Sequence, residues 1–154
     1  MSQSLSKLYV HIIFHIKYSS ISIEREIENE LYAYQASIIK DNDSTPILIN
    51  GEKDHVHILC IISKNISLAD LVEEIKKHSS RWIKTRNIKY KRFGWQGGYS
   101  GFSVSQSLLE KTKKYIKDQK EHHKKKSYKE ELIEFLKMYN VDYDPRYLWD
   151  GLDD

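Results

Sequence analysis

The chain of 154 residues has one cysteine, two prolines and no long apolar run. Because Cys60 is alone, no disulfide can form within the chain, which favours a reducing compartment. No segment approaches the roughly 20 apolar residues of a membrane-spanning helix, since His11, His15 and Lys17 interrupt the apolar N-terminal stretch. We therefore expect a cytoplasmic protein that is neither secreted nor inserted in a membrane. The length predicts a single domain over residues 1–154.

The chain also has little net charge, because 25 Lys and Arg against 22 Asp and Glu leave +3. The basic residues are unevenly placed: residues 76–92 contain no acidic residue, and a second basic stretch surrounds Tyr115. Either stretch alone could be a solvated helix face. Aromatic residues interleave with the first stretch, a composition typical of a groove that tracks phosphates and stacks unpaired bases. The residues expected to contact DNA are Lys84, Arg86, Arg92, Trp95, Lys114, His122 and His123.

Strands and helices alternate along the sequence. The apolar spacing and the turn residues predict strands over 8–17, 47–49, 55–62 and near 101–104, with a turn at 50–54. Helices are predicted over 24–42 and over 129–138. Two further helices are predicted, one that begins after a Ser67 cap and one around Tyr115 that begins after a Ser105 or Ser107 cap. The order β-α-β-β-α-β predicts an α+β fold: a ferredoxin-like split β-α-β sheet, similar to an RRM, with helices on one face and additional C-terminal helices.

Two short motifs point to chemistry. His55 and His57 are two residues apart in a predicted strand, so both imidazoles point to the same side of the sheet, while Val56 and Ile58 face the core. Tyr115 and Gln119 are four residues apart in a predicted helix and therefore share one helix face. A lone H-x-H is more often incidental than a metal site, but the two motifs together predict a tyrosine nucleophile assisted by a metal ion.

The residues around these motifs resemble the single-tyrosine (Y1) transposases of the IS200/IS605 family, which belong to the HUH endonuclease group. Residues 54–59 are similar to the histidine motif of that family, and residues 115–123 are similar to its Y-x-x-x-Q helix. Residues 11–18 look like the opening strand, and residues 144–149 look like the usual tail. The resemblance therefore runs from about residue 8 to 149 in the expected order.

The resemblance implies a transposase that cleaves and rejoins single-stranded DNA at insertion-sequence ends. Tyr115 would attack phosphorus and leave a 5′-phosphotyrosine. His55, His57 and Gln119 would hold a divalent ion, and their mixed nitrogen and oxygen atoms suit Mg²⁺ or Mn²⁺. His122 and His123 are expected to be solvated residues that touch DNA rather than ligands of the metal ion.

Strand exchange needs two cleavages held together, so a chain with one nucleophile should act as a homodimer. The resemblance implies binding of DNA with hairpin ends, and composite sites in which the tyrosine helix can come from the other subunit. Some members of the family carry glycines before that helix, whereas this chain has Ser-Val-Ser-Gln-Ser at 103–107. The exchange of the helix between subunits is therefore an open question.

Three other functions remain open from the sequence. A domesticated relative that processes repeated chromosomal hairpins would share every catalytic residue. A rolling-circle initiator or relaxase would use the same motifs, usually in another order or with extra domains. A non-catalytic module that stacks single-stranded bases on surface aromatics would not need His55, His57 and Tyr115 to converge.

Overall fold

A four-stranded antiparallel sheet in the order β2-β3-β1-β4 is the centre of the computed structural model, which describes residues 2–149. The strands are β1 (Leu8–His15), β2 (Thr45–Glu52), β3 (His55–Ile62) and β4 (Ser100–Val104). The helices are α1 (Arg25–Asp41), α2 (Leu68–Arg86), α3 (Leu109–Lys117), α4 (Gln119–His122), α5 (Tyr128–Met138) and α6 (Pro145–Leu148). The chain order β1-α1-β2-β3-α2-β4 and the strand order confirm the predicted ferredoxin-like α+β class.

Both faces of the sheet are covered, and strand β3 shows why. Its side chains alternate between the faces, so Val56 and Ile58 join the core under α1 and α2, as predicted. Leu59 points the other way, into a second cluster that includes Ile116 of α3. Helix α5 packs on the same side through Leu132. His55 and His57 share the face of Leu59, so they lie between the sheet and the C-terminal helices.

The hairpin between β2 and β3 is tighter than the sequence predicted. Strand β2 runs to Glu52, so Asn50 and Gly51 lie inside the strand, where they pair with β3, and the turn is at 53–54. A Cβ at position 51 would collide with the backbone carbonyl of His55, so this close approach requires glycine. The predicted turn at 50–54 was therefore wrong in its first three residues. Strand β1 ends at His15, and Ile16 adds only an isolated bridge to Trp95.

The helix ends also differ in part from the prediction. Ser67 caps α2 as expected, because its Oγ accepts a hydrogen bond from the Asp70 N–H at 3.1 Å. The serine cap on the tyrosine helix was wrong: Ser105 and Ser107 pair their hydroxyls with each other, and a 3-10 turn at Gln106–Leu108 precedes α3. Among residues 2–149, the helices are too short or too polar to cross a membrane.

Candidate active site

His55 and His57 project from β3 into a buried space between the sheet and the C-terminal helices. Both side chains are fully buried, and their ring centroids are 5.1 Å apart. The period of a strand places the two rings on one face, as the sequence predicted. Helices α3 and α5 cover that face, and their side chains complete the surroundings of the two imidazoles.

The orientation of the His55 ring is set by Asp54. The Asp54 carboxylate lies 2.7 Å from His55 Nδ1, and an ionised carboxylate can only accept, so Nδ1 carries the proton. Nε2 of His55 then points into the space between the helices. Burial lowers the pKa of His55, but the hydrogen bonds and charges of Asp54 and Glu131 outweigh this effect and raise the pKa to about 9. In the absence of metal, His55 is therefore the protonated histidine of the pair.

His57 has partners on both ring nitrogens. Its Nδ1 lies 2.8 Å from Nε2 of His11 on β1, and its Nε2 lies 2.8 Å from Oε1 of Glu131 on α5. Burial lowers the pKa of His57 to about 4, and the hydrogen bond to Glu131 offsets this only in part. Burial also lowers the pKa of His11 well below its ordinary value. His57 and His11 are therefore neutral, and a neutral imidazole is the form that binds a metal ion.

Glu131 is the centre of the site, and the sequence analysis missed it. Its Oε1 faces three imidazole Nε2 atoms: those of His57 at 2.8 Å, His123 at 3.3 Å and His55 at 3.5 Å. Burial raises the pKa of Glu131, but hydrogen bonds from the three histidines outweigh this and hold the pKa well below its ordinary value. One signal was available: Glu131 occupies a buried helix position between Tyr128 and Leu132, where an apolar residue is expected.

Tyr115 and Gln119 reach the same carboxylate from α3 and α4. The Tyr115 hydroxyl donates a hydrogen bond to Glu131 Oε2, and Nε2 of Gln119 donates to the same oxygen at 3.1 Å. Burial and the negative charge of Glu131 raise the pKa of Tyr115. The predicted continuous helix is interrupted at Asp118, yet the expected meeting of Tyr115 and Gln119 occurs, because the break is small and both side chains face the sheet.

Asn50 fixes the end of the tyrosine helix to the sheet. Its Nδ2 donates to the carbonyl oxygens of Ile116 at 2.9 Å and Lys117 at 3.1 Å. Since the last carbonyls of a helix have no partner within the helix, this side chain satisfies them while tying α3 to β2. Tyr115 is thereby held over the histidines of its own chain.

His123 lies in the cluster, so its expected position on a solvated DNA-binding face was wrong. Its Nδ1 donates to the backbone carbonyl of Lys126 at 2.8 Å, and its Nε2 lies 3.0 Å from Oε1 of Gln119. The His123 side chain is 9% exposed. His122 is half-buried instead, and its ring centroid lies 4.6 Å from that of Tyr115. The two neighbours therefore have different surroundings, which their shared sequence context did not distinguish.

The other residues expected to contact DNA are scattered. Lys114 is exposed on α3, and Arg92 is exposed after α2. Lys84 and Arg86 are exposed on α2, which covers the sheet face opposite the histidines. Trp95 is a correction: it is 7% exposed, packs edge-to-face with Phe14 and donates from Nε1 to Ser79 at 3.0 Å, so it is a core residue without a free face for a base.

Grooves reach the cluster from two sides. A groove of about 620 Å³ is lined by Lys53, Asp54, His123 and Lys126, among others. A smaller one of about 200 Å³ is lined by Tyr115, His11 and Lys111, among others. Each groove combines a residue of the cluster with at least one lysine. The linings are mixed in charge, because Glu24, Glu28, Glu52 and Asp54 also border the larger groove and Glu134 borders the smaller one.

Several donor atoms converge to the distance at which they could share one cation. The ligand atoms of His55, His57, His123 and Glu131 all lie within 4.8 Å of one another. Oε1 of Gln119 is a further oxygen at 3.1 Å from His55 Nε2. The residues thus fit a divalent ion, and the predicted ligands His55, His57 and Gln119 do meet. The arrangement places a cluster of metal-binding groups next to a phenol hydroxyl. These are functional groups that a metal-assisted attack on a phosphodiester requires.

Comparisons with known proteins bear on the family and the fold of this chain. The profile of a family described as "Transposase IS200 like" matches residues 4–119. The ISDra2 transposase TnpA of Deinococcus radiodurans is 26% identical over 118 residues, which cover 73% of this chain and 84% of the relative. A crystal structure described as a candidate transposase of Deinococcus radiodurans has a TM-score of 0.59 and 21% identity, covering 77% of this chain and 98% of its own. A REP-associated tyrosine transposase bound to a REP hairpin has a TM-score of 0.56 and 12% identity, covering 80% of this chain and 74% of its own.

Proposed function

This chain belongs to the IS200-like transposase family, and on that premise we propose that it cleaves and rejoins single-stranded DNA at insertion-sequence ends through a tyrosine intermediate. The observation that carries the proposal is the meeting of the Tyr115 hydroxyl with the imidazoles of His55 and His57 at one carboxylate, that of Glu131. A module that only binds single strands would have no need of this buried convergence. We take the whole chain to be one catalytic domain that works in the cytoplasm.

In the proposed reaction the Tyr115 oxygen attacks the phosphorus of the scissile phosphodiester. The new bond is the Tyr115 O–P bond, the bond to the 3′ oxygen breaks, and the products are a 5′-phosphotyrosine and a free 3′-hydroxyl. The phenol proton has an acceptor in place, because Glu131 Oε2 already receives the hydroxyl hydrogen bond. Rejoining is the reverse: a 3′-hydroxyl attacks the phosphotyrosine, and Tyr115 regains its proton.

The cofactor of the proposal is a divalent ion, Mg²⁺ or Mn²⁺, held by His55, His57 and Gln119. When bound, such an ion polarises a phosphate oxygen and offsets the negative charge that develops on it. The protein orients the ligands: Asp54 fixes His55 from one side, and His11 contacts the other nitrogen of His57. Partners of this kind fix the ring orientation of metal-binding histidines.

The DNA substrate is proposed to be a single strand with hairpin ends. The exposed basic residues Lys84, Arg86, Arg92 and Lys114 would contact phosphates, and His122 beside Tyr115 would contact the strand near the scissile bond. The REP-associated neighbour, solved with a hairpin, makes a hairpin oligonucleotide the natural probe. Lys84 and Arg86 lie on the face opposite the site, so we place the hairpin stem there and the cleaved single strand at the site.

We propose further that the active form is a homodimer, since one chain brings a single Tyr115 and strand exchange needs two cleavages. Within one chain Tyr115 contacts the histidine cluster through Glu131, which supports cleavage by the residues of a single subunit. Sedimentation of the protein with hairpin DNA should show a complex of two chains. A protein that remains a monomer at micromolar concentration, with and without DNA, would contradict the dimer.

A covalent adduct is the decisive test of the proposed reaction. Single-stranded oligonucleotides that carry the subterminal palindromes flanking the gene are incubated with the protein and Mn²⁺, then separated in denaturing gel. A label at the 3′ end should move with the protein, while a label at the 5′ end should appear on a shorter free strand. A label pattern of the opposite kind, or two free fragments without an adduct, would refute the 5′-phosphotyrosine.

A further inference from the structure

The proposed ligands His55, His57 and Gln119 leave two members of the buried cluster without a role at the metal ion: His123 and Glu131. His123 lies four residues after Gln119, in the turn that follows α4, and Glu131 lies on α5, so neither belongs to the Tyr115–Gln119 pair that predicted the ligands. Yet the side chains of His123 and Glu131 turn toward the same point as the ring of His57. Their distances and the orientation of their lone pairs decide what they can bind.

The distances from the Glu131 carboxylate to three imidazole nitrogens match those between ligand atoms of a single ion. Ligand atoms about 2.1 Å from one metal ion lie roughly 3.0 Å apart in octahedral geometry and roughly 3.4 Å apart in tetrahedral geometry. Glu131 Oε1 lies 2.8 Å from His57 Nε2, 3.3 Å from His123 Nε2 and 3.5 Å from His55 Nε2. One carboxylate oxygen thus stands at coordination spacing from three imidazole nitrogens.

The ring of His123 is oriented as a ligand by its other nitrogen. Nδ1 lies 2.8 Å from the backbone carbonyl oxygen of Lys126, which can only accept, so Nδ1 carries the proton. A neutral His123 ring then presents the Nε2 lone pair to the cluster. The same reasoning holds for His55, whose Nδ1 proton goes to Asp54. Both rings therefore keep Nδ1 protonated, and a cation that displaces the Nε2 proton would be coordinated by Nε2 of each ring together with the Glu131 carboxylate oxygen.

Glu131 supplies the charge that such a site needs and also links it to the nucleophile. Its Oε1 faces the imidazoles, while its Oε2 accepts the hydrogen bond from Tyr115. The carboxylate is 2% exposed, so water does not compete for it in this structure. A buried carboxylate among imidazoles offsets the charge of a divalent cation, which neutral ligands alone would not.

We propose that His123 and Glu131 are metal ligands together with His55 and His57, and that this set makes the site prefer an imidazole-binding transition ion such as Mn²⁺ over Mg²⁺. Magnesium favours carboxylate, carbonyl and water oxygens, whereas imidazole suits the later first-row ions, and affinity for a nitrogen-rich site rises from Mn²⁺ along the series. The use of this metal site in DNA cleavage rests on the proposed function. The ligand set itself is measured without DNA.

The test is direct metal binding by the full chain after removal of metal with a chelator. Calorimetric titration with MnCl₂ and, separately, with MgCl₂ should show Mn²⁺ binding on the order of 10- to 100-fold tighter than Mg²⁺. His123→Ala and Glu131→Gln should each weaken Mn²⁺ binding by about 10- to 100-fold. Electron spin echo spectra of bound Mn²⁺ should show coupling to three imidazole nitrogens in the unmodified chain and in Glu131→Gln, but to only two in His123→Ala.

Matched controls separate ligand loss from general damage. Glu134→Gln removes a carboxylate one turn along α5 that pairs with Lys126, and His78→Ala removes an imidazole on α2 that pairs with Glu74. Both should keep the Mn²⁺ affinity within about 3-fold of the unmodified chain. Circular dichroism and thermal unfolding in chelator confirm that each variant is folded, and Glu131→Gln is nearly isosteric should an Ala variant of the cluster fail to fold.

Unchanged Mn²⁺ affinity in either His123→Ala or Glu131→Gln, or equal affinity for Mg²⁺ and Mn²⁺, would overturn the four-ligand site. The DNA adduct assay distinguishes this outcome from failure of the proposed reaction. Tight Mn²⁺ binding that depends on the four residues, with no adduct on any hairpin, would refute the proposed function and leave the metal site standing. An adduct that forms normally in both variants, with unchanged Mn²⁺ affinity, would refute the four-ligand metal site and leave the proposed function standing.

Discussion

The hydroxyl of Tyr115 donates a hydrogen bond to the carboxylate of Glu131, and the other oxygen of that carboxylate lies 2.8 Å from His57. One side chain of α5 therefore connects the proposed nucleophile on α3 to the histidine strand β3. Since Glu131 is buried and anionic, this bond is charge-assisted, which makes it stronger than one between neutral groups. It orients the phenol before any substrate arrives.

Tyr115→Phe keeps the ring and removes the oxygen that would attack phosphorus. We expect the covalent protein–DNA product to vanish, with loss of stability of only about 1–2 kcal/mol, because Glu131 keeps its other partners. Gel detection of the adduct and urea unfolding measure the two effects. Tyr147→Phe, at an exposed position on α6, is the control and should leave the adduct yield unchanged. An adduct formed by Tyr115→Phe would move the nucleophile to another residue.

Replacement of His55 and His57 together by Ala should lower DNA cleavage by at least about 100-fold, because both proposed ligands of the metal ion are lost. Hairpin binding should remain mostly intact, since the exposed basic residues that we propose to contact phosphates are unchanged in this variant. Cleavage gels and fluorescence anisotropy of a labelled hairpin provide the two measurements. The double variant is compared with His78→Ala, which lies on α2. Cleavage that persists in the double variant would exclude a metal site at these histidines.

Gln119→Ala should have a milder effect than loss of the histidines. Water can replace one neutral oxygen ligand, so the metal affinity should fall by about 10-fold while the other ligands keep the ion in place. Cleavage rates measured across a series of Mn²⁺ concentrations should therefore recover most of their lost activity at high Mn²⁺. A rate that stays low at saturating Mn²⁺ would show that Gln119 acts through something other than metal affinity.

The metal-free protein should become less stable as the pH falls from about 6.5 to about 4, and His15 supplies part of this loss. Burial lowers the pKa of His15 from 6.5 to about 4, although the charge of Asp54 opposes the shift. Between these two values the unfolded chain binds a proton that the folded chain does not, so the free energy of unfolding decreases toward acid. For His15 alone, the decrease between pH 7 and 4.5 should be about 2 kcal/mol.

Urea unfolding of the unmodified chain and of His15→Gln, both in chelator at pH 7 and pH 4.5, measures this contribution. The variant starts from a lower stability because it loses the contact with the Tyr128 hydroxyl. Its further loss on acidification should nevertheless be smaller than that of the unmodified chain by about 2 kcal/mol. An equal loss in both proteins would show that His15 does not titrate in this range.

The sequence by itself was sufficient to predict the fold class and the shared orientation of His55 and His57. The alternation of β3 places His55 and His57 on one face and Val56 and Ile58 on the other, because successive side chains of a strand point in opposite directions. This relationship is local and needs no knowledge of the rest of the chain. Helix periodicity likewise located both ends of α1 and α5 to within about one residue, and the Ser67 cap located the start of α2.

Trp95 shows where local patterns fail. Basic and aromatic residues alternate in that part of the sequence, and the same composition is compatible with a DNA groove or with a covered core. In the structure the indole packs edge-to-face against its near neighbour Phe93 and against Phe14 on β1, which is distant in the chain. Which aromatic residues are exposed depends on what α2 and the sheet cover, and composition does not contain that information.

The positions of Glu131 and His123 in the buried cluster were determined only by the tertiary structure. Glu131 is 74 residues from His57 in the chain, and the two meet because α5 packs across the sheet face that carries the histidines. His123 turns inward because the helix is interrupted at Asp118 and its Nδ1 finds the carbonyl of Lys126. Such convergence depends on how separate elements pack, whereas the sequence determines mainly the order and periodicity within each element.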